Sequence, residues 1–159
     1  MSLAVEVVAP PGLERVQDPV ADLVRAAFVS EGVADGSVTV AFVDEQEMMD
    51  LNRRFRQLNE PTDVLSFSET GGGREWPDPG KDSEGDLGEI VVCVSVVQRY
   101  ALQEGGDPEI QLGWTLVHGV LHLMSYDHEP DDELMRARER ALLTKLASQV
   151  RAVSAVTRG

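Results

Sequence analysis

The sequence predicts an α+β fold: a small mixed β-sheet of about four strands with helices packed on it, in a single domain. Three observations predict it. Short apolar runs alternate with amphipathic helical stretches in the order β-α-β-α-β-β-α-α-α. Two of the strand-like runs follow one another with no helix between them, which makes them an antiparallel pair at the sheet edge. No repeat and no dividing linker interrupts the 159 residues, a length that suits one core.

The elements follow in order. Leu3-Ala4-Val5-Glu6-Val7-Val8 reads as a strand closed by Pro10-Pro11-Gly12. A helix comes next, with Asp18 as expected N-cap, Pro19 in its first turn and Gly32 beyond its end. Val20, Leu23, Val24, Ala27 and Phe28 form its core-facing stripe. Val38 to Val43 is a strand, after which Asp44 and Glu47 form a capping box for a short helix carrying Met48, Leu51 and Phe55. Asp63 to Phe67 is a strand entered through Pro61-Thr62. Leu87 to Val94 is almost continuously apolar, as in a central strand covered on both faces. Between them, residues 69–86 are rich in Gly, Pro, Asp and Glu and read as an exposed loop. Ser95 and Gln98 are expected to cap a helix ending at Gly105-Gly106, and Asp107-Pro108 to start another running to about Met124. One last helix from about Asp131 places Met135, Leu142, Leu146 and Val150 on one face, and residues 154–159 read as a frayed tail.

Composition narrows the function classes. No apolar run approaches 18 residues, which excludes a membrane-spanning helix and a membrane partner of that kind. The N-terminal residues lack the basic and long apolar regions of a secretory signal, and the one cysteine, Cys93, cannot form an internal disulfide. A reduced, cytoplasmic protein is expected, with Cys93 a small buried hydrophobe. Lys and Arg number 14 against 28 Asp and Glu, a net charge of −14. That balance argues against polyanionic partners at long range, although a local basic patch can act at short range. Twelve of the fourteen bases are arginine, the residue suited to bidentate phosphate contacts.

All three histidines fall within eleven residues, HGVLHLMSYDH: His118, His122 and His128. On a helix, His118 and His122 at i, i+4 share a face one turn apart and can bind one metal ion. After a break near Ser125-Tyr126 the chain can turn back and bring in His128. Three imidazoles and one open position make a catalytic metal site, zincin-like and carried on a central helix. Trp114, Leu116, Val117, Val120, Leu121, Leu123 and Met124 make that helix apolar nearly all round. Unpaired imidazoles inside it would cost on the order of 1–3 kcal/mol each, a cost that a metal removes. A lone histidine in this setting is more often a hydrogen-bonded core residue; three at this spacing favour the metal. The spacing H-x3-H-x5-H matches metzincin proteases, but these need Glu after the first His as general base. Here that residue is Gly119, so peptide hydrolysis by that route is disfavoured.

The motif HGVLHLMSYDH resembles the H-G-x-L-H-L-x-G-Y-D-H signature of the YbeY endoribonucleases. The resemblance extends to LNRRFR (51–56), PTDVLSF (61–67) and LGEIVVC (87–93), covering most of residues 38–128. It implies a bacterial, metal-dependent, single-strand-specific endoribonuclease acting in small-subunit (16S) rRNA maturation and ribosome quality control. It further implies one Zn²⁺ at His118, His122 and His128, and partners that include the ribosomal small subunit and an Era-type GTPase. Ser125 replaces a glycine of the family pattern where the chain leaves the helix, and Glu89 replaces an aspartate.

Arg56 matches the family's functional arginine after an aromatic, here Phe55, and is the candidate catalytic residue. Phosphodiester cleavage concentrates negative charge on the phosphoryl oxygens, which a guanidinium can clamp. Arg53 and Arg54 beside it read as solvated helix arginines. Asp127 either orients His128 or is a turn acid, Glu129 is a helix-entry acid, and Thr62, Asp63 and Ser66 are edge-strand polar residues beside the cleft. Trp114 and Tyr126 read as core rather than as base-stacking platforms. Two other readings stand beside the nuclease: an assembly factor whose acidic surface docks on basic ribosomal proteins around a structural metal, and a metal hydrolase of another substrate.

Overall fold

The computed structural model describes residues 3–12, 14–68, 86–103, 105, 110–124 and 132–158. Strand β1 (Leu3–Val8) passes through a short 3-10 turn (Glu14–Val16) into helix α1 (Gln17–Ser30), which returns the chain to strand β2 (Gly36–Phe42). Helix α2 (Glu45–Arg56) then leads to strands β3 (Val64–Ser68) and β4 (Asp86–Val92). Among the described residues, four helices follow: α3 (Val94–Gln103), α4 (Gln111–Leu123), α5 (Asp132–Lys145) and α6 (Ala147–Arg158). The sheet order is β1-β2-β4-β3, parallel except for the antiparallel β3–β4 pair. The architecture is the expected mixed α+β fold. The continuous apolar run is an inner strand, and the expected antiparallel pair places β3 at the edge of the sheet formed by the described residues.

Side-chain alternation gives the sheet two apolar faces. Ile90 and Val92 of β4 pack with α1, α4 and α6 in the larger core. Val91 and Cys93 point the other way, into a smaller cluster with Leu65, Phe67, Met48, Leu51 and Val96. Cys93 is buried there, as expected of a small hydrophobe. Glu89 shares that second face by alternation and is itself buried, opposite Thr39 and Phe67 in register.

Helix boundaries are where sequence signals and structure part. The whole α1 stripe, Val20, Leu23, Val24, Ala27 and Phe28, is buried. Asp18 is not the N-cap, however; Val16 is, with no side-chain bond. The preceding 3-10 turn already holds Val16 near helical angles (φ −80°, ψ −12°), so the helix grows from that turn and Asp18 falls in its first turn. Asp44 does cap α2: in extended conformation, its carboxylate accepts from the Glu47 N–H at 2.8 Å. Asp44→Ala is therefore expected to cost about 1 kcal/mol (range 0.5–2), read as a lowered urea midpoint at unchanged slope.

Ser95 lies inside α3 rather than at its cap, because its hydroxyl serves a tertiary contact instead. It donates to Glu45 of α2 at 2.6 Å, and Arg99 pairs with the same carboxylate oxygen. These contacts hold the Glu45 carboxyl below the ordinary glutamate range, the Ser95 hydrogen bond having the largest effect. The described part of α3 runs to Gln103, and Gly105 follows with φ +68°, the left-handed conformation of a helix-ending glycine, as expected. The described start of α4 is Gln111; Asp107-Pro108 lies outside the described residues.

The single C-terminal helix expected from the sequence is two, α5 and α6, divided at Leu146. The apolar stripe runs through the break: Met135, Leu142, Leu146 and Val150 are all buried. Helix α6 continues to Arg158, past the point where fraying was expected, because Val150 and Val153 seat it in the main core. Residues 69–85 of the expected loop lie outside the described residues, and Asp86 belongs to β4. Among the described residues, no helix is long and apolar enough to cross a membrane.

Candidate functional site

Helix α4 is pressed into the molecule from several sides. Leu112, Leu116, Val117, Val120, Leu121 and Leu123 are buried, as are Gly113 and Gly119. Both glycines mark close approaches. A Cβ on Gly113 would lie 2.6 Å from Val150 Cγ1 of α6, and one on Gly119 would lie 3.0 Å from Ile90 Cγ2 of β4. What stays partly accessible is one stripe at i, i+3, i+7 and i+11: Gln111, Trp114, His118 and His122. Both candidate ligands on this helix thus lie on the stripe that retains access to solvent.

His118 and His122 are brought together as their spacing predicts. Their Nε2 atoms lie 2.7 Å apart, with ring centroids separated by 4.3 Å. The Nδ1 of His118 is in hydrogen-bond contact with Oε2 of Glu139 on α5. A carboxylate only accepts, so Nδ1 is the donor, and in the neutral imidazole this leaves the lone pair on Nε2, on the side facing His122. The other carboxylate oxygen of Glu139, Oε1, accepts from the Trp114 indole N–H at 3.2 Å. Trp114 is not plain core: it is half-buried, and its ring lies 5.4 Å from that of His118.

Glu139 is the site residue that the motif reading missed. A signal for it does exist in the sequence. Met135, Glu139, Leu142 and Leu146 fall at i, i+4, i+7 and i+11, so Glu139 occupies a core position of an apolar stripe. The flanking Arg136, Arg138 and Arg140 make that stretch read as a solvated charged face instead.

His128, Ser125, Tyr126, Asp127 and Glu129 lie outside the described residues. Among the described residues there is no group of three or more His, Cys, Asp or Glu side chains able to hold a metal ion. The pair that is described suits one nonetheless. Two imidazole nitrogens converge, one has its lone pair fixed by a carboxylate on the far side of its ring, and both belong to a nitrogen donor set of the kind zinc takes.

Gly119, next to His118, faces the sheet. Its carbonyl accepts from the Ser66 hydroxyl of β3 at 3.4 Å, a long contact that places Ser66 beside the histidine helix. The next residue of β3, Phe67, points to the opposite face and meets Phe55 of α2 edge-on at 5.1 Å. The edge strand is therefore flanked by the histidine helix on one face and by the C-terminal turn of α2 on the other. Three arginines lie in that turn. Arg53 pairs with Asp50 at 2.8 Å, and the Arg54 guanidinium sits 5.2 Å from the Phe55 ring centre. Arg56, the last residue of α2, is exposed, and no ion pair or ring contact engages it among the described residues. Thr62 donates to the Asp63 carboxylate at 3.2 Å, and the Asp63 carbonyl accepts from the Cys93 N–H at 3.0 Å.

Comparison with known proteins places these features in a family. The profile described as Endoribonuclease YbeY matches residues 11–147, which include Arg56 and all three histidines. The chain belongs to the YbeY endoribonuclease family. It is 38% identical over 127 residues to Endoribonuclease YbeY of Geobacillus thermodenitrificans, covering 77% of this chain and 81% of that protein. It is 37% identical over 125 residues to Endoribonuclease YbeY of Staphylococcus aureus, with the same coverage. The solution structure of TM1509 from Thermotoga maritima superposes with a TM-score of 0.62 at 25% identity, covering 93% of this chain and 92% of the other. The YbeY match takes in α5, and with it Glu139, and ends where α6 begins.

Proposed function

We propose that this YbeY-family endoribonuclease is zinc-dependent and cleaves single-stranded RNA in the cytoplasm, in the maturation and quality control of the 16S rRNA of the small ribosomal subunit. The observation that carries the metal part of this reading is the convergence of the His118 and His122 Nε2 atoms on the accessible stripe of a buried helix. Together with His128 they would hold the ion. When bound, zinc supplies Lewis-acid polarisation of a phosphoryl oxygen and lowers the pKa of water toward neutrality.

The chain's own groups supply the rest. The edge strand β3 has the histidine helix on one face and the α2 turn on the other, so an RNA strand crossing that edge runs from one to the other. Arg56 clamps the non-bridging phosphoryl oxygens as negative charge develops on them. Gly119 provides no general base, and its packing against Ile90 leaves no room for one. The attacking oxygen is that of water or of the ribose 2′-hydroxyl, and end-group analysis of the products separates the two. The net charge of −14 suits docking on basic ribosomal proteins of the small subunit, and an Era-type GTPase is the second proposed partner.

The test is cleavage of a labelled single-stranded RNA by zinc-loaded protein beside identically purified His122→Ala. Activity in the wild type alone supports the reading, and equal activity in both means contamination. No activity in either moves the weight to an assembly factor with a structural metal. A further expectation concerns the arginines. Arg56→Ala should lower cleavage by about 10²–10³-fold, the range for removing one electrostatic stabiliser of a transition state. Because Arg56 is exposed, stability should stay within about 0.5 kcal/mol and zinc content should not change. Arg53→Ala and Arg54→Ala should have smaller effects, which parallel kinetics on the three variants would show.

A further inference from the structure

We infer that Glu139 is the positioning residue of the site, holding His118 in the one tautomer and ring orientation that leave Nε2 available to a metal. The inference deepens the proposed metal-dependent reading and rests on it.

Glu139 is 7% exposed and lies on the apolar stripe of α5 between Met135 and Leu142, where a residue serving packing alone would be apolar. Burying a carboxylate there is costly unless its oxygens are satisfied. The basic neighbour Arg138 does not face it, because its guanidinium is turned onto Glu31, the residue that follows α1, with Nε 3.1 Å from Oε2. Both Glu139 oxygens are instead spent on α4: Oε2 on His118 Nδ1 and Oε1 on Trp114 Nε1. Two donors four residues apart on one helix thus fix the carboxylate at both ends, so that it cannot rotate away from the imidazole.

The consequence for His118 is specific. An acceptor-only partner at Nδ1 selects the Nδ1–H tautomer and leaves the lone pair on Nε2. The Trp114 ring lies tilted beside the imidazole at 5.4 Å, and the His122 ring meets it edge-on at 4.3 Å. The His118 ring is therefore held by a hydrogen bond along one edge and by rings on two sides. Such an arrangement serves a group whose lone-pair direction matters.

The experiment pairs ring-nitrogen ¹⁵N NMR of the metal-free full chain with zinc titration of the same samples. Wild type is expected to show His118 as the Nδ1–H tautomer. Glu139→Met keeps the apolar volume that its position on the stripe allows but removes the acceptor. It should fold, lose the single tautomer and bind zinc about 10–100-fold more weakly. Glu139→Gln retains a carbonyl acceptor and should restore the tautomer and most of the affinity. Trp114→Phe removes only the Oε1 donor and should keep the tautomer. A folded Glu139→Met with wild-type tautomer and affinity overturns the inference, as does Glu139→Gln behaving no better than Glu139→Met. Should Glu139→Met fail to fold, Glu139→Gln decides alone: loss of the tautomer there overturns the inference, and its retention supports it. Failure of the underlying metal reading looks different, because wild type and His122→Ala would then be equally unable to bind zinc.

Discussion

In the His122→Ala variant, cleavage of single-stranded RNA should fall by at least about 10²–10³-fold, the cost of removing one electrostatic stabiliser, since losing a metal ligand removes more than one contact. The variant should remain folded. His122 is half-buried on the accessible stripe of α4, and the main-core residues on the other faces of the helix are untouched. The substitution also takes from His118 the neighbour 2.7 Å from its Nε2, so zinc binding should fall with activity. Circular dichroism separates this result from unfolding. Chelation of the wild type should reproduce the loss, and added zinc should restore cleavage to wild type but not to the variant. Undiminished cleavage after complete removal of zinc would rule out a metal-centred reaction.

Gly119→Glu should destabilise the protein by about 3–5 kcal/mol, the range for an uncompensated charge in the interior. A Cβ at this position already lies 3.0 and 3.3 Å from the Ile90 side chain and 3.4 Å from the Ser66 hydroxyl. A glutamate would carry its carboxylate into that contact, where Ile90 is fully buried and offers no hydrogen bond. The variant would reproduce the H-E-x-x-H pattern of a zinc peptidase and still gain no peptidase activity, because this face of the helix meets the sheet and not the site. A loss of less than 1 kcal/mol in a urea titration would mean that α4 can lift from β4 more easily than the packing implies.

The two-strand succession β3–β4, the buried stripe of α1 and the Asp44 cap were legible in the sequence because each depends on neighbours a few residues apart. The same locality exposed the candidate ligands: His118 and His122 are one helical turn apart, and a helix must bring them together. Where tertiary contacts competed, local signals failed. Ser95 has the chemistry of a cap, yet its hydroxyl serves Glu45, fifty residues away. Asp18 has it too, but the 3-10 turn before α1 had already begun the helix.

Glu139 shows the same limit at the site itself. Its position on an apolar stripe was readable, but its partners lie twenty-one and twenty-five residues back on another helix, and nothing in its own neighbourhood names them. By itself, then, the sequence determined the fold class, the family resemblance and the facing histidine pair, since periodicity and motif spacing are properties of the local chain. Only the tertiary structure decided which stripe of α4 stays accessible, why Gly119 must be small and which carboxylate faces His118. These depend on how separate elements pack, which the spacing of residues along one element does not contain.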